Sequence, residues 1–315
     1  MRLCVIHTGG TIGSAMTPLG FAPKAGIVEE TLAQLAESGA VTAAYDLVVA
    51  DPLLDSSQAT VADWNWIVAA IAARHDAYDG FVVTHGTDSM GYAAAAVTLA
   101  LEGLAKPVIL TGSMVPLRVA GSDGADNLVA AMAAAETAEP GVWLQFAGQL
   151  LPGSRIQKVH SVAHAAFASD GQAVTPRVVG ADLRHHVFQR QSLAIVTLSP
   201  GLEPPMLTDQ CRRADGVILR CFGSGNVPGT AEFRAFLDDL AGRAVPLVAI
   251  SQCAAGGVVI GTYSASAVLA EVGAINGKDM TLEAAYAKLM LGLSRFAGDD
   301  LRQYMETAQA GEIAV

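Results

Sequence analysis

Charge is scarce in this sequence, and what there is leans acidic. Lysine, arginine, aspartate and glutamate make up 16% of the 315 residues, with a formal net charge of −11. Nucleic acids and anionic membranes select basic surfaces, so this balance argues against both as partners. Cysteine is also sparse, and Cys4, Cys211, Cys221 and Cys253 form no C-x-x-C pair. Cys4 lies inside an apolar strand and Cys221 follows another, so small buried thiols in a reducing compartment are expected. No apolar run reaches the roughly 18 residues a membrane helix needs. No leader precedes the first strand, which points to a cytoplasmic protein. A metal-spaced ligand cluster, a Gly-x-Ser-x-Gly elbow and a Gly-Lys-Ser/Thr phosphate loop are missing as well.

What the sequence has in quantity is apolar material, 52% of residues. A chain of this length and composition buries a sizeable core and is expected to divide into two domains. Leu3 to Ile6 reads as a fully buried strand that breaks at Thr8-Gly9-Gly10-Thr11. Leu47-Val48-Val49 precedes a helical pattern over Val61 to Ala73. Phe81-Val82-Val83 precedes Tyr92 to Leu104, and Val108-Ile109-Leu110 precedes Leu128 to Ala135. This alternation is the βαβ signature of a mostly parallel sheet flanked by helices. Val142 to Phe146 and Gln149 to Leu151, around Ala147-Gly148, predict a hairpin at the sheet's far edge.

The pattern dissolves between about Gly171 and Arg190 and then restarts. Strands are predicted at Leu193 to Leu198, Gly216 to Leu219 and Leu247 to Ile250, with helices over Ala231 to Ala241 and Leu282 to Leu293. The expected organisation is an N-terminal catalytic α/β domain over 1–180, a linker over 181–191, and a smaller α/β domain over 192–315.

Each strand of the first domain ends in polar residues. Asp51 and Asp55-Ser56-Ser57 follow the second, Thr84-His85-Gly86-Thr87-Asp88-Ser89 the third, and Thr111-Gly112-Ser113 the fourth. Open α/β sheets bind ligands at the carboxyl ends of their strands. Taken singly, Thr60, Asp88 and Ser89 are equally helix caps. Taken in series, the strand ends point to one crevice. Thr11, on a glycine-supported turn, offers a hydroxyl there, although the same turn is open to a purely structural reading.

A hydroxyl nucleophile needs a group to take its proton. His85 stands beside Thr87 and reads first as a hydrogen-bonder of its turn. Lysine occurs five times, and Lys158 follows the edge strand in Gly153-Ser154-Arg155-Ile156-Gln157-Lys158. A lysine near a crevice becomes a base when burial disfavours its charge, and is otherwise a solvated side chain.

Thr8-Gly9-Gly10-Thr11-Ile12, Thr84 to Asp88, and Gly153 to Lys158 resemble the three signatures of the bacterial-type asparaginase family. Asp55-Ser56-Ser57, Lys106 to Ser113, Ser122-Asp123-Gly124 with Asn127, Gly223-Ser224-Gly225-Asn226, Ser251-Gln252-Cys253 and Asp279-Met280-Thr281 with Glu283 fit the same pattern. The resemblance runs along essentially the whole chain and is nearest the cytoplasmic type I branch. It implies hydrolysis of the side-chain amide of L-asparagine through a threonine acyl-enzyme, without cofactor or metal, in a homodimer or homotetramer. Thr11 would be the nucleophile, and Thr87, Asp88 and Lys158 a second hydroxyl–carboxylate–lysine array. Asp88 would also meet the substrate's α-ammonium and Ser56 its α-carboxylate, with Asp55 and Ser57 shaping that end.

The chain departs from the family in two places. Phe21 stands where a mobile lid usually carries a tyrosine, and Gln157 stands where the type I allosteric pocket carries a threonine. Two other readings stand beside this one: the amidase subunit of a tRNA-dependent amidotransferase, and, because of Phe21, a weakly active amino-acid sensor. The amidotransferase subunit usually carries an extra N-terminal domain, whereas here the first strand begins at once.

Overall fold

The computed structural model describes residues 1–170, 179–180, 182–261 and 264–314. Residues 171–178 and 181, within the pattern-free stretch and the expected linker, lie outside the described residues. The chain forms two compact units, one built mainly from Met1–Ser169 and the other mainly from Phe188–Val315. No helix among the described residues is long and apolar enough to cross a membrane.

The first unit is a six-stranded sheet. Its strands are β1 (Arg2–Gly9), β2 (Ala44–Leu54), β3 (Gly80–Thr84), β4 (Pro107–Thr111), β5 (Gly141–Phe146) and β6 (Gln149–Pro152). Their spatial order is β2-β1-β3-β4-β5-β6, parallel except for β6, which returns from β5 as the expected hairpin. Central strands covered on both faces must be apolar throughout. β3 and β4 are accordingly buried at every position.

Four helices cover the sheet: α1 (Ile27–Glu37), α2 (Val61–Ala72), α3 (Met90–Ala100) and α4 (Gly124–Thr137). α2 starts on a capping box between Thr60 and Asp63, which satisfies donors the first helical turn cannot pair. α3 is Ala-rich and buried almost all round. It ends at Ala100, four residues before the helical pattern in the sequence does. Leu101 leaves the helical conformation, and Leu101–Glu102 pairs antiparallel with Arg184–His185.

The second unit is a four-stranded parallel sheet of β7 (Leu193–Thr197), β8 (Gly216–Cys221), β9 (Leu247–Ser251) and β10 (Ile275–Asn276), in that spatial order. Helices α5 (Pro204–Gln210), α6 (Ala231–Gly242), α7 (Ser264–Glu271), α8 (Leu282–Leu293) and α9 (Gly298–Glu306) accompany it. Its core joins Val217 and Leu219 of β8 to Phe233, Phe236, Leu237 and Leu240 of α6. The fully buried pair Lys288–Glu312, 2.6 Å apart, ties the last residues to α8. Lys288 Nζ also donates to the carbonyls of Met305 and Thr307, so its charge is surrounded by oxygen rather than hydrocarbon. Cys4, Cys211 and Cys221 are buried thiols as expected, whereas Cys253 is exposed. Burial pushes the thiols of Cys4 and Cys211 up to about 11 and that of Cys221 up to about 12, which leaves all three unreactive at neutral pH.

Candidate active site

The strand order fixes where a ligand belongs. In a β2-β1-β3 arrangement the chain leaves β1 to one side and later returns on the other. The loops after β1 and β3 therefore diverge and open a crevice at the carboxyl ends of those two strands. Thr8 to Thr11 follow β1, and Thr84 to Asp88 follow β3.

Two glycines close these loops onto each other. A Cβ built on Gly10 would lie 2.4 Å from the Gly86 nitrogen, and one on Gly86 would lie 2.3 Å from Ser56 Oγ. Gly10 also has φ +88, where a side chain is strained. Only glycine lets the loops after β1 and β3 meet backbone to backbone, with the Ser56 side chain of the loop after β2 packed against them. Thr8 Oγ1 donates to the Thr84 carbonyl at 2.8 Å, and His7 Nδ1 lies 2.7 Å from Thr84 Oγ1. The first residue past this junction is Thr11, which opens a short 3₁₀ turn over Thr11–Gly13 and is half-buried.

The third signature is brought to the same place. The segment after β6 is tied to β5 by Gly153 N donating to the Val142 carbonyl at 2.9 Å. Gln157–Lys158 then pairs antiparallel with Phe167–Ala168. Lys158 Nζ donates to Thr87 Oγ1 at 2.9 Å and to Asp88 Oδ1 at 2.7 Å. Thr87 is buried, while Asp88 is exposed at the mouth with 64% of its side chain accessible. An ammonium donating to a hydroxyl oxygen stabilises negative charge on that oxygen, and the carboxylate keeps the ammonium in place.

Packed against Gly86, Ser56 is buried on a 3₁₀ turn over Ser56–Gln58. Asp55 and Ser57, expected to shape the same end, are exposed and bonded to each other. Asp55 Oδ1 accepts from Ser57 N at 3.0 Å and from Ser57 Oγ at 2.9 Å. Ser89, read in the sequence as a cap, makes no side-chain cap on α3 and reaches instead to the Ser56 carbonyl at 2.6 Å. Phe21 sits on a hairpin of Ser14–Thr17 with Gly20–Pro23, opposite Met16 in the pairing, and is 48% exposed.

Residues outside the strand ends support the site. Asp123 accepts from the backbone N–H groups of Met114 and Val115, each at 3.0 Å, and Asn127 Nδ2 donates to the Gly112 carbonyl at 3.0 Å. Leu117 N then donates to the Ile12 carbonyl at 3.2 Å. The loop after β4 thereby braces the Thr11 turn. The Ser122-Asp123-Gly124 and Asn127 motif was the visible trace of this brace. Among the described residues no group of three His, Cys, Asp or Glu side chains is arranged to hold a metal ion.

His7 and His85 are fully buried, and His85 Nδ1 lies 2.8 Å from the Gly86 carbonyl, to which it donates. Burial lowers both imidazole pKa values below 6.5. In the unfolded chain each titrates near 6.5, so below that pH the unfolded state binds protons that the folded state refuses. Stability is therefore full above about pH 6.5 and falls on acidification, by up to about 1.4 kcal/mol per pH unit for each histidine. Urea titrations at pH 7.5 and 5.5 check this: the midpoint is expected to drop, and an unchanged midpoint would contradict it.

Fold and geometry define a class: a doubly wound α/β protein with hydroxyl side chains gathered at the carboxyl ends of its strands. Residues 2–191 match the family model described as Asparaginase, N-terminal, and residues 192–305 the one described as Glutaminase/Asparaginase C-terminal domain. L-asparaginase 1 of Escherichia coli K12 is 35% identical, with the match covering 98% of this chain and 97% of that protein. The solved thermostable L-asparaginase from Thermococcus kodakarensis superposes with a TM-score of 0.91 at 32% identity, covering 100% of both chains. L-asparaginase I from Vibrio cholerae gives 0.89 at 34% identity, covering 100% of this chain and 99% of that one. The chain belongs to the asparaginase family.

Proposed function

We propose that this protein is an L-asparagine amidohydrolase that passes through a threonine acyl-enzyme. The observation that carries the reading is the Lys158 ammonium donating to both Thr87 Oγ1 and Asp88 Oδ1 at the mouth of the β1/β3 crevice. Thr11 Oγ1 attacks the side-chain amide carbon. The new ester bond forms, the carbon–nitrogen bond breaks, and the hydroxyl proton leaves with the nitrogen as ammonia. Water then hydrolyses the ester, giving aspartate and restoring Thr11. Backbone N–H groups of the glycine turns serve as oxyanion donors.

Binding follows from the substrate's charges. Asp88 takes the α-ammonium and Ser56 the α-carboxylate, so the amide falls between Thr11 and Thr87. Thr87, with Lys158 lowering the cost of its deprotonation, is the second reactive hydroxyl. Phe21 belongs to a lid that supplies shape and excludes water. Phe21→Tyr is accordingly expected to change kcat little. We infer a cytoplasmic homodimer or homotetramer, and light scattering on the purified chain checks the oligomeric state.

The test is ammonia release from L-asparagine by the purified protein, with L-glutamine alongside. Turnover of asparagine is expected. Tight binding of aspartate without any turnover would overturn the enzyme reading and favour an amino-acid sensor, a reading that draws on the missing lid phenol.

A further inference from the structure

Ser89 stands at the N-cap of α3, where a serine hydroxyl ordinarily accepts a hydrogen bond from its own helix. Here it makes none, and donates at 2.6 Å to the Ser56 carbonyl, 33 residues away in sequence. That carbonyl belongs to the Ser56–Ser57 peptide, whose N–H at the other end donates to Asp55 Oδ1 at 3.0 Å. A peptide unit is planar and rigid. Gripped at both ends, this one fixes the backbone on the far side of Ser56. The Gly86 backbone meanwhile packs directly on the Ser56 side chain. The hydroxyl of Ser56 is thus aimed by two loops at once, those after β2 and β3.

We propose that Ser89 is a positioning residue for substrate recognition, holding Ser56 in register with the Thr87–Asp88 turn. This rests on the assignment of Ser56 to the α-carboxylate made above. Thr87, Asp88 and Ser89 are consecutive, so one turn presents a reactive hydroxyl, meets the α-ammonium and sets the group that meets the α-carboxylate. The two charged groups of an α-amino acid are separated by a single tetrahedral carbon. A slip of Ser56 relative to Asp88 therefore costs binding directly.

The experiment compares Ser89→Ala and Ser89→Thr with the unaltered enzyme. Losing one hydrogen bond at this point is expected to raise KM for asparagine about five-fold to ten-fold with kcat held within about two-fold. Inhibition by aspartate should weaken by the same factor, whereas inhibition by β-alanine, which lacks the α-carboxylate, should not change. Ser89→Thr keeps the hydroxyl and should restore KM. Because the side chain caps nothing on α3, the urea midpoint should fall by no more than the loss of this one hydrogen bond. Should the alanine variant not fold, Ser89→Cys, with its weak S–H donor, gives the same comparison. An unchanged KM, a fall confined to kcat, or equal weakening of both inhibitors would overturn the proposal. Ser56→Ala separates the two levels. If it leaves aspartate inhibition intact, the Ser56 assignment fails and the proposal with it. If it weakens aspartate while Ser89→Ala does not, the clamp alone fails.

Discussion

Thr11→Ala is expected to lower kcat for asparagine by on the order of 10⁴-fold or more, with the fold intact. Each tenfold corresponds to about 1.4 kcal/mol, so the hydroxyl is being asked for roughly 5.5 kcal/mol of barrier. The structure explains why the loss should be chemical rather than structural. The turn at Thr11 is set by its neighbours: Gly10 fits against Gly86, Gly10 N donates to the Leu54 carbonyl at 2.9 Å, and Ser14 Oγ donates to the Gly10 carbonyl at 3.0 Å. Ile12 anchors the same turn in the core. None of these depends on the Thr11 side chain, so its removal leaves the pocket shaped and the substrate bound. Steady-state ammonia release together with aspartate binding checks both halves. Activity within tenfold of the unaltered enzyme would remove Thr11 from the mechanism.

Lys158→Met should cost about 10³-fold in kcat, the scale of losing one preorganised donor at a developing oxyanion. Methionine keeps most of the side chain's bulk and removes the ammonium that contacts Thr87 Oγ1 and Asp88 Oδ1. The ion pair itself contributes little to folding, because Asp88 is mostly solvent-exposed and water screens the pair. A large kinetic effect with an unchanged urea midpoint is therefore the expected signature. The reverse, a stability loss with kcat preserved, would make Lys158 a structural residue.

The sheet was legible wherever strands are buried on both faces. β3 and β4 are short, wholly apolar runs ending in glycine and hydroxyl residues, and both lie where the pattern put them. Helices that bury only a narrow face were harder to see. α1 buries Ile27, Val28 and Leu32 amid polar neighbours, and α9 buries Leu301, Tyr304 and Met305. α3 read too long because Leu101 and Leu104 continue its apolar run, although Leu101–Glu102 has already turned to pair with Arg184–His185.

Within the site, Thr11 and Thr87 could be placed locally because strand, glycine turn and hydroxyl are contiguous. Lys158 could not, since 70 residues separate it from Asp88 and only the fold closes that gap. The scarcity of lysine and its place after the edge strand made it a candidate, and the family resemblance gave it a role. Ser89 shows the opposite failure. Its position fits a helix cap by every local rule, and a contact across 33 residues takes the hydroxyl elsewhere. Local rules favour a cap where no other partner competes, and the glycine at 86 is what brings the competitor within reach.

The central claim is that Thr11 carries the acyl group while Thr87 and Lys158 form the neighbouring array. Rapid acid quench during asparagine turnover, followed by peptide mass analysis, tests it most directly. A β-aspartyl ester on the peptide carrying Thr11, absent from Thr11→Ala, is the expected result. An ester on the peptide carrying Thr87, with Thr11 unmodified, would contradict the account.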